Sequence, residues 1–341
     1  MDKLIVSSYN NFSLLAHKVL GEESKNSLII FDGSVINSDI NLKNPAFILK
    51  HPNKQIMYIC YESIYDGYIA TIEYKNNNLK ILNVVSSEGK SSCYLEFTPD
   101  MQYIININYW DSSISIHPIN DGILQKASKI YRNSKINEIT HIDDHLKDRQ
   151  STSHHHSCIF YKKKLYVPDL GTDKIDIFDY TNGEIVYNNF FQLNKGNGPR
   201  YSIINNDFMY IVNELSSSVI VINMIDNMTI VQSMSTVPKE CKKNTCSGIQ
   251  LIKNYLYISN RGHDSIAIYK ILDNNLLDLC GIYKTKGKTP RHFKVNNNMT
   301  KLYVANQDTN NIVVFDINNG SLNYNTEFIC NSPNYILIMG D

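Results

Sequence analysis

The feature that most constrains the fold is a motif that recurs seven times along the 341-residue chain. Each copy is a short run of aromatic and aliphatic residues that ends in Asn or a substitute, as in "MYIVNE", "LYISNR" and "LYVANQ". We call the residue in the Asn position the marker, and the markers are Ser8, Tyr61, Asn108, Asp169, Asn213, Asn260 and Asn306. Their spacing of 44 to 61 residues is typical of the blades of a β-propeller.

Each repeat has the composition of β-strands. The runs before the markers are rich in β-branched and aromatic residues and are closed by turn formers, and a second alternating run such as "SSVIVINM" follows. No long segment shows the spacing of apolar residues that an amphipathic helix requires. The sequence therefore predicts an all-β fold, a seven-bladed β-propeller that forms a single domain over residues 1–341.

The two ends of the chain supply parts of one blade. The C-terminal "SPNYILIM" resembles the opening strand of a repeat but has no continuation, whereas the N-terminal "LIVSSYN" resembles the strand that should follow it. We therefore expect the N- and C-terminal strands to join in one blade and to close the ring without an open sheet edge.

The longest marker spacing, 61 residues, indicates an insertion. The segment Asn137–Ser153 is polar and charged, lacks a strand pattern and precedes the histidine cluster "SHHHSC". We expect a long loop at about 137–153, and loops of this length are often functional.

Composition excludes several kinds of partner and compartment. The formal net charge is zero, which argues against a nucleic-acid or anionic-membrane partner, and no window contains the ~18 apolar residues of a membrane span. Seven cysteines without a framework spacing indicate free thiols in a reducing compartment. We expect a cytoplasmic protein that is a monomer or a weak homo-oligomer.

Charged residues vary at the ends of the repeated strands. A hairpin places the start of the opening strand and the end of the marker strand at the same end of a blade. If the opening strand lines the channel, seven side chains converge on one mouth of it: His154, His156, Arg200, Glu214, Arg261, Arg291 and Gln307. Each could also be an ordinary loop residue. His154 and His156 could share a face of an extended strand, but no third ligand lies at metal spacing, so we predict no metal.

The segments "VPDLGTDKI", "YIVNELSSSVIVI" and "LYISNRGHDSIAIYK" strongly resemble the lactonase family of seven-bladed propellers. That family contains bacterial-type 6-phosphogluconolactonases and carboxymuconate-lactonizing enzymes. The resemblance implies a site built from His154 or His156 together with Arg200, Glu214 and Arg261. The sequence departs from the family pattern where Ser153 and His155 replace prolines, where "CSGIQ" lacks an acidic residue, and where "ICYES" replaces Ala-Asn-Glu.

The resemblance implies a carboxylic ester hydrolase of carbohydrate metabolism that opens 6-phosphogluconolactone in the pentose phosphate pathway. His154 or His156 and Glu214 would divide the base and acid roles, and Arg200 and Arg261 would clamp an anionic substituent. Arg291 and Gln307 would add contacts to this small anionic sugar lactone, and no cofactor is expected. Two alternatives remain open, a carboxymuconate-type lactonizing cycloisomerase and a non-catalytic propeller that serves as an interaction scaffold.

Overall fold

The computed structural model describes residues 2–33, 35–132, 146–225 and 227–339, with 35–38 described by their backbone alone. Within them, seven antiparallel sheets form the blades of a propeller, as the sequence predicts. Among the residues in these ranges, helix is limited to α1 (Lys147–Gln150) and two single 3-10 turns (Phe12–Leu14 and Gln307–Thr309). In this described part of the chain, no helix has the length and apolar character needed to cross a bilayer.

Both ends of the chain contribute to blade 1, which confirms the predicted closure. Its innermost strand is β29 (Pro333–Met339), followed outward by β1 (Lys3–Ser8), β2 (Leu28–Asp32) and β3 (Val35–Ile40). Strand β29 pairs antiparallel with β1, in a register that places Lys3 opposite Met339. The first and last strands therefore share one hydrogen-bonded sheet.

The remaining six blades follow in chain order, each with its first strand innermost. Blade 3 departs slightly, because its third strand is covered by two short strands, β11 and β12, instead of one. The strands are, for blade 2, β4 (Pro45–Lys50), β5 (Ile56–Tyr61), β6 (Tyr68–Lys75) and β7 (Asn78–Ser86); for blade 3, β8 (Ser92–Phe97), β9 (Tyr103–Asn108), β10 (Ile114–Asn120), β11 (Ile123–Leu124) and β12 (Lys129–Tyr131); for blade 4, β13 (Ile159–Tyr161), β14 (Lys164–Asp169), β15 (Lys174–Thr181) and β16 (Glu184–Gln192); for blade 5, β17 (Pro199–Asn205), β18 (Phe208–Asn213), β19 (Ser218–Asn223) and β20 (Thr229–Ser235); for blade 6, β21 (Thr245–Ile252), β22 (Tyr255–Arg261), β23 (Ser265–Ile271) and β24 (Leu277–Lys284); for blade 7, β25 (Pro290–Val295), β26 (Lys301–Asn306), β27 (Asn311–Asn318) and β28 (Ser321–Ile329).

The second strand of each blade ends at the marker, or one residue after it in β22. The marker asparagines are buried, and Asn108, Asn260 and Asn306 link neighbouring blades. Asn108 Nδ2 donates to the Ser87 carbonyl at 3.0 Å, and Asn260 Nδ2 donates to the Thr236 carbonyl at 2.9 Å. Ser87 and Thr236 directly follow the outer strand of the preceding blade. The repeated amide therefore ties the chain crossing to the next blade, which explains why Asn recurs there.

The core lies between the faces of adjacent blades. One buried cluster joins blade 5 to blade 6 through Tyr210, Val212, Leu256, Ile258 and Ala267. The second strands are buried on both faces, so they contain nearly continuous apolar runs such as "FMYIV" in β18. This packing holds the inner strands at a fixed distance from the axis.

The inner strands line a central channel that is narrowed by aromatic rings. Phe47 contacts the rings of Tyr94 and Tyr335 at centroid distances of 4.6 and 4.9 Å, and Tyr94 contacts Tyr201 at 5.6 Å. We call these four residues the aromatic layer. A cavity of about 210 Å³ adjoins it, lined by residues from six of the inner strands. The predicted site lies at the mouth where the inner strands begin.

Candidate active site

Two rings of side chains surround this mouth, one from each of the two inner strands of a blade. The first ring contains the second residue of the innermost strands. Arg200 lies between Pro199, which pairs with Asn213, and Tyr201, which pairs with Val212, so Arg200 is the extra residue of a β-bulge. Arg291 occupies the same bulged position in β25. A bulge redirects a side chain, which explains how an arginine on a channel strand reaches the mouth.

The second ring contains the residue that follows each marker. The backbone N–H of Glu214 donates to the Gly198 carbonyl at 2.7 Å, that of Glu62 to Asn44 at 2.9 Å, and that of Gln307 to Thr289 at 3.0 Å. These repeated bonds fix the residue after the marker against the start of the inner strand. Seven residues occupy this position: Tyr9, Glu62, Tyr109, Leu170, Glu214, Arg261 and Gln307.

Glu214 is the centre of a buried ion cluster with three arginines. Its Oε2 accepts from Arg200 Nη1 at 2.5 Å, and its Oε1 accepts from Arg149 Nη2 at 2.5 Å. Arg261 Nη2 donates to the Cys246 carbonyl at 3.0 Å and forms an ion pair with Glu214 Oε2 at 2.9 Å. The Glu214 side chain is only 2 % exposed, so these bonds form away from solvent. We call these four residues the Glu214 cluster. It combines three of the predicted site residues with Arg149, which comes from α1.

The electrostatics of the Glu214 cluster favour an added anion. Burial alone would raise the pKa of Glu214, but Arg261, Arg149 and Arg200 hold this pKa well below its usual range. Burial, reinforced by the neighbouring arginines, lowers the pKa of Arg261 to about 10. Three guanidinium groups against one carboxylate leave an excess of two positive charges.

The two predicted histidines occupy different places beside this cluster. His156 Nε2 accepts from Arg200 Nη1 at 2.5 Å, and burial lowers the pKa of His156 well below its usual value, so the ring is neutral. His154 instead stacks on Tyr109 at 4.6 Å, with Nδ1 3.2 Å from the Tyr109 carbonyl and Nε2 3.1 Å from Thr152 Oγ1. The structure therefore brings His156, and not His154, into contact with the arginines.

His155, which replaces a family proline, is fully buried, and its ring contacts Ser112 and Asp176 instead of the Glu214 cluster. Its Nε2 lies 2.8 Å from Asp176 Oδ2, and its Nδ1 lies 3.0 Å from the Ser112 carbonyl. Ligand atoms of His155, Asp169 and Asp176 approach within 4.8 Å of one another, which is metal-ligand spacing. Asp169 Oδ1 already accepts the backbone N–H groups of His154 and Gly171, so the carboxylate caps this turn.

A second buried carboxylate, Glu62, has its own set of partners across the mouth. Arg291 Nη2 donates to Glu62 Oε2 at 3.1 Å, and the Tyr9 hydroxyl donates to the same oxygen. His17 Nδ1 faces Glu62 Oε1 at 3.5 Å. We call Tyr9, His17, Glu62 and Arg291 the Glu62 cluster. Glu62 and Glu214 both follow a marker and bond to the start of an inner strand, so the two clusters share one mouth.

The Glu62 cluster contains the residues that the sequence analysis missed. Arg291 was predicted to bind substrate, whereas Tyr9, His17 and Glu62 were not selected. A signal existed for two of them, because Tyr9 and Glu62 directly follow markers, as Glu214 does. His17 lies in the connection between β1 and β2, outside the repeat, and no periodicity points to it.

Gln307 and the predicted insertion loop differ from the rest of the site. Gln307 is buried after its marker, and its Nε2 donates to Asp308 Oδ1 at 3.2 Å and not to either cluster. Of the loop at 137–153, residues 137–145 lie outside the described residues. The remainder contains α1, where Gln150 Nε2 donates to Asp173 Oδ1 at 2.9 Å and so anchors the helix that carries Arg149.

Comparison with known proteins identifies the family. The profile of the family described as "Lactonase, 7-bladed beta-propeller" matches residues 34–337. The chain belongs to the lactonase family of seven-bladed propellers.

Two named relatives of this lactonase chain are 6-phosphogluconolactonases. The one from Bacillus subtilis is 26 % identical over 289 residues, covering 81 % of this chain and 80 % of the relative. The one from Formosa agariphila is 28 % identical over 301 residues, with 82 % and 83 % covered. The structure of the periplasmic gluconolactonase PpgL from Pseudomonas aeruginosa superposes with a TM-score of 0.87 over 99 % of both chains. At 19 % identity, this likeness supports the fold alone.

Proposed function

We propose that this protein hydrolyses a phosphorylated sugar lactone, and specifically converts 6-phosphogluconolactone to 6-phosphogluconate. The observation that carries the proposal is the excess of two positive charges in the Glu214 cluster, which matches a phosphate dianion. The names of the relatives support the same substrate. The proposal includes a cytoplasmic role in the pentose phosphate pathway, which fits the seven free cysteines.

The exposed edges of the two clusters suggest how the substrate lies. Arg149 and Arg261 keep 38 % and 14 % of their side chains exposed, so both can donate to phosphate oxygens without leaving Glu214. In the Glu62 cluster the charges of Arg291 and Glu62 balance, which suits an uncharged lactone ring. We therefore place the phosphate on the Glu214 cluster and the lactone carbonyl beside Arg291, whose guanidinium stabilises the developing oxyanion.

Within this proposal Glu214 acts by positioning. Both of its oxygens accept from arginines and its pKa is low, so it remains a carboxylate that orients Arg149, Arg200 and Arg261. His156 accepts from the same Arg200 Nη1 that donates to Glu214, while the ring of Tyr201 lies 5.0 Å from that guanidinium. The arginines are thus fixed before the substrate arrives, and less ordering is required on binding.

The test compares lactones with and without phosphate. Freshly prepared 6-phosphogluconolactone and unphosphorylated gluconolactone are followed by proton release, with spontaneous hydrolysis subtracted. We expect Arg261→Ala to lower kcat/KM for the phosphorylated lactone about 10- to 100-fold, because a charge-assisted contact is lost. The rate with the unphosphorylated lactone should change less than about threefold.

The control is Arg132→Ala, which removes an exposed arginine that donates to the Glu88 carbonyl. It should leave both rates unchanged. An equal loss on the two lactones in Arg261→Ala would refute the phosphate assignment. Lactone decay that purified wild-type protein does not accelerate would reject the hydrolase and favour the cycloisomerase or the scaffold.

A further inference from the structure

His17 is a partly exposed imidazole at the mouth. Its side chain is 32 % exposed, whereas His154 and His156 are buried. It lies in the segment between β1 and β2, and this segment is anchored at both ends of the histidine. The Ile64 N–H donates to the Leu14 carbonyl at 2.9 Å, and the Leu20 N–H donates to Asp308 Oδ1 at 3.1 Å. The ring is therefore held between blades 2 and 7.

Three other groups near the described part of the mouth that could accept a proton are buried and have partners. Both oxygens of Glu214 accept from arginines. His156 Nε2 accepts from Arg200, and its Nδ1 is enclosed. His154 has both ring nitrogens near polar partners and stacks on Tyr109. Compared with these three buried groups, His17 has the ring more open to an incoming water, although its Nε2 also has a partner in Arg291.

The partners of His17 fix its tautomer. Arg291 Nη1 lies 3.3 Å from His17 Nε2, and a guanidinium can only donate, so Nε2 must be the unprotonated nitrogen. Nδ1 then carries the hydrogen and directs it toward Glu62 Oε1 at 3.5 Å. Catalytic hydrogen bonds are often this long before substrate binds. A carboxylate that orients a histidine through Nδ1 is a common device for general-base catalysis.

Glu62 is itself fixed for this role. The Tyr9 hydroxyl and Arg291 Nη2 both donate to Oε2, which leaves Oε1 for the imidazole. Burial would raise the pKa of Glu62, but Arg291 and His17 hold this pKa well below its usual range, so the group is a carboxylate. Tyr9 and Glu62 thus act as positioning residues for His17.

The charged groups around His17 keep it neutral. Loss of solvent around the ring is the main cause that lowers its pKa, Arg291 adds to the effect, Glu62 opposes it, and Arg261 contributes least. A neutral imidazole at neutral pH is the form that accepts a proton.

We propose that His17, oriented by Glu62, is the general base that activates water for attack on the lactone; this inference rests on the proposed function. Water oxygen bonds to the carbonyl carbon while one of its protons moves to His17 Nε2, and Arg291 Nη1 turns from Nε2 to the carbonyl oxygen as that oxygen becomes an oxyanion. As the tetrahedral intermediate collapses, the ring C–O bond breaks. The His17 imidazolium returns its proton to the departing ring oxygen, so one water is added in total.

The experiment measures kcat and KM of His17→Gln and Glu62→Gln from pH 5 to 8. We expect His17→Gln to lower kcat about 100-fold with KM changed less than threefold, because general-base catalysis contributes about that much. Wild-type kcat should fall on the acid side, as the imidazole becomes protonated, and this limb should disappear in His17→Gln. Glu62→Gln should lower kcat at least about tenfold.

A matched control and a rescue separate chemistry from folding. His51→Gln changes a histidine just after β4, at the opposite end of the channel, and should leave kcat unchanged. A thermal melt of each variant establishes that it folds. In His17→Ala, added imidazole should restore part of the lost rate, which a purely structural role would not allow.

Failure of the His17 assignment and failure of the proposed function give different experimental results. A wild-type enzyme that opens the lactone while folded His17→Gln retains its kcat and acid limb overturns the assignment of His17 alone. A wild-type protein that does not accelerate opening overturns both proposals. Loss of kcat in His17→Gln, with imidazole rescue of His17→Ala, supports the assignment.

Discussion

The Glu214 cluster makes a quantitative prediction about stability. Glu214→Gln preserves the size of the side chain but removes the charge that neutralises three guanidinium groups, and it replaces one acceptor with an amide donor facing an arginine. Breaking a buried ion pair by removing one partner costs about 3–5 kcal/mol. Because Glu214 is 2 % and Arg200 6 % exposed, solvent cannot screen the loss. We expect the free energy of unfolding to fall by that amount.

The expected change in melting temperature follows from chain length. Unfolding entropy of about 2.1 cal/mol/K per residue gives about 0.7 kcal/mol/K for this chain, so the melting temperature should fall by about 4–7 °C. The assay is a thermal melt with and without 6-phosphogluconate. Without Glu214 the cluster has three uncompensated positive charges, so the anion should raise the melting temperature more in the variant than in the wild type.

A matched control and a clear refutation accompany this prediction. Glu184→Gln removes an exposed partner of Lys129, and the melting temperature should not change. A fall of less than about 1 °C in Glu214→Gln, or a smaller anion effect than in the wild type, would show that the four residues do not form a coupled buried cluster.

Two further predictions concern the framework. Asn260→Ala removes the amide that bonds to the Thr236 carbonyl, so urea denaturation should give a loss of about 1–3 kcal/mol in unfolding free energy, whereas Asn325→Ala at an exposed site should change it little. If the urea denaturation curve of Asn260→Ala had the same slope as that of Asn325→Ala and an unchanged midpoint, the linking role would be contradicted. Burial alone would lower the pKa of His155, but the bond to Asp176 and the nearby carboxylates raise this pKa above its usual value. The contribution of this bond to stability should therefore be complete below about pH 6.5 and decline as pH rises through the raised pKa, so the difference in melting temperature between wild type and Asp176→Asn should shrink from pH 6 to 9; a difference that grows would refute this.

The fold could be predicted from sequence because every blade repeats the same physical problem. Each needs a buried second strand, so the apolar run recurs, and the amide that bonds the incoming chain recurs at Asn108, Asn260 and Asn306. The closure was predictable for the same reason, because "SPNYILIM" is a first strand that lacks its partner. Because the blades repeat, the pairing of strands that lie far apart in the chain could be predicted from a single sequence.

The site could be predicted only where it follows that repetition. Arg200, Glu214, Arg261 and Arg291 lie at repeated positions and converge as expected. Position alone did not separate His154 from His156, because the choice depends on whether a ring faces Arg200 or stacks on Tyr109.

His17 could not be found from the repeat. It occupies a connection whose course is set by contacts with two other blades. Arg149 was hidden for a similar reason, since it belongs to the insertion. Sequence periodicity locates site residues at repeated positions. Site residues in irregular connections can be found only from the three-dimensional structure.

The pairing of β1 with β29 also sets an order of events during synthesis. Tyr9 and His17 leave the ribosome early, while Arg291 and the strand that completes their blade emerge roughly 280 or more residues later. A growing chain can assemble the middle blades but cannot bring these groups together until the ring shuts. Catalytic competence and final locking of the ring should therefore arrive in the same late step, so a prematurely terminated product would carry most of the fold and none of the chemistry.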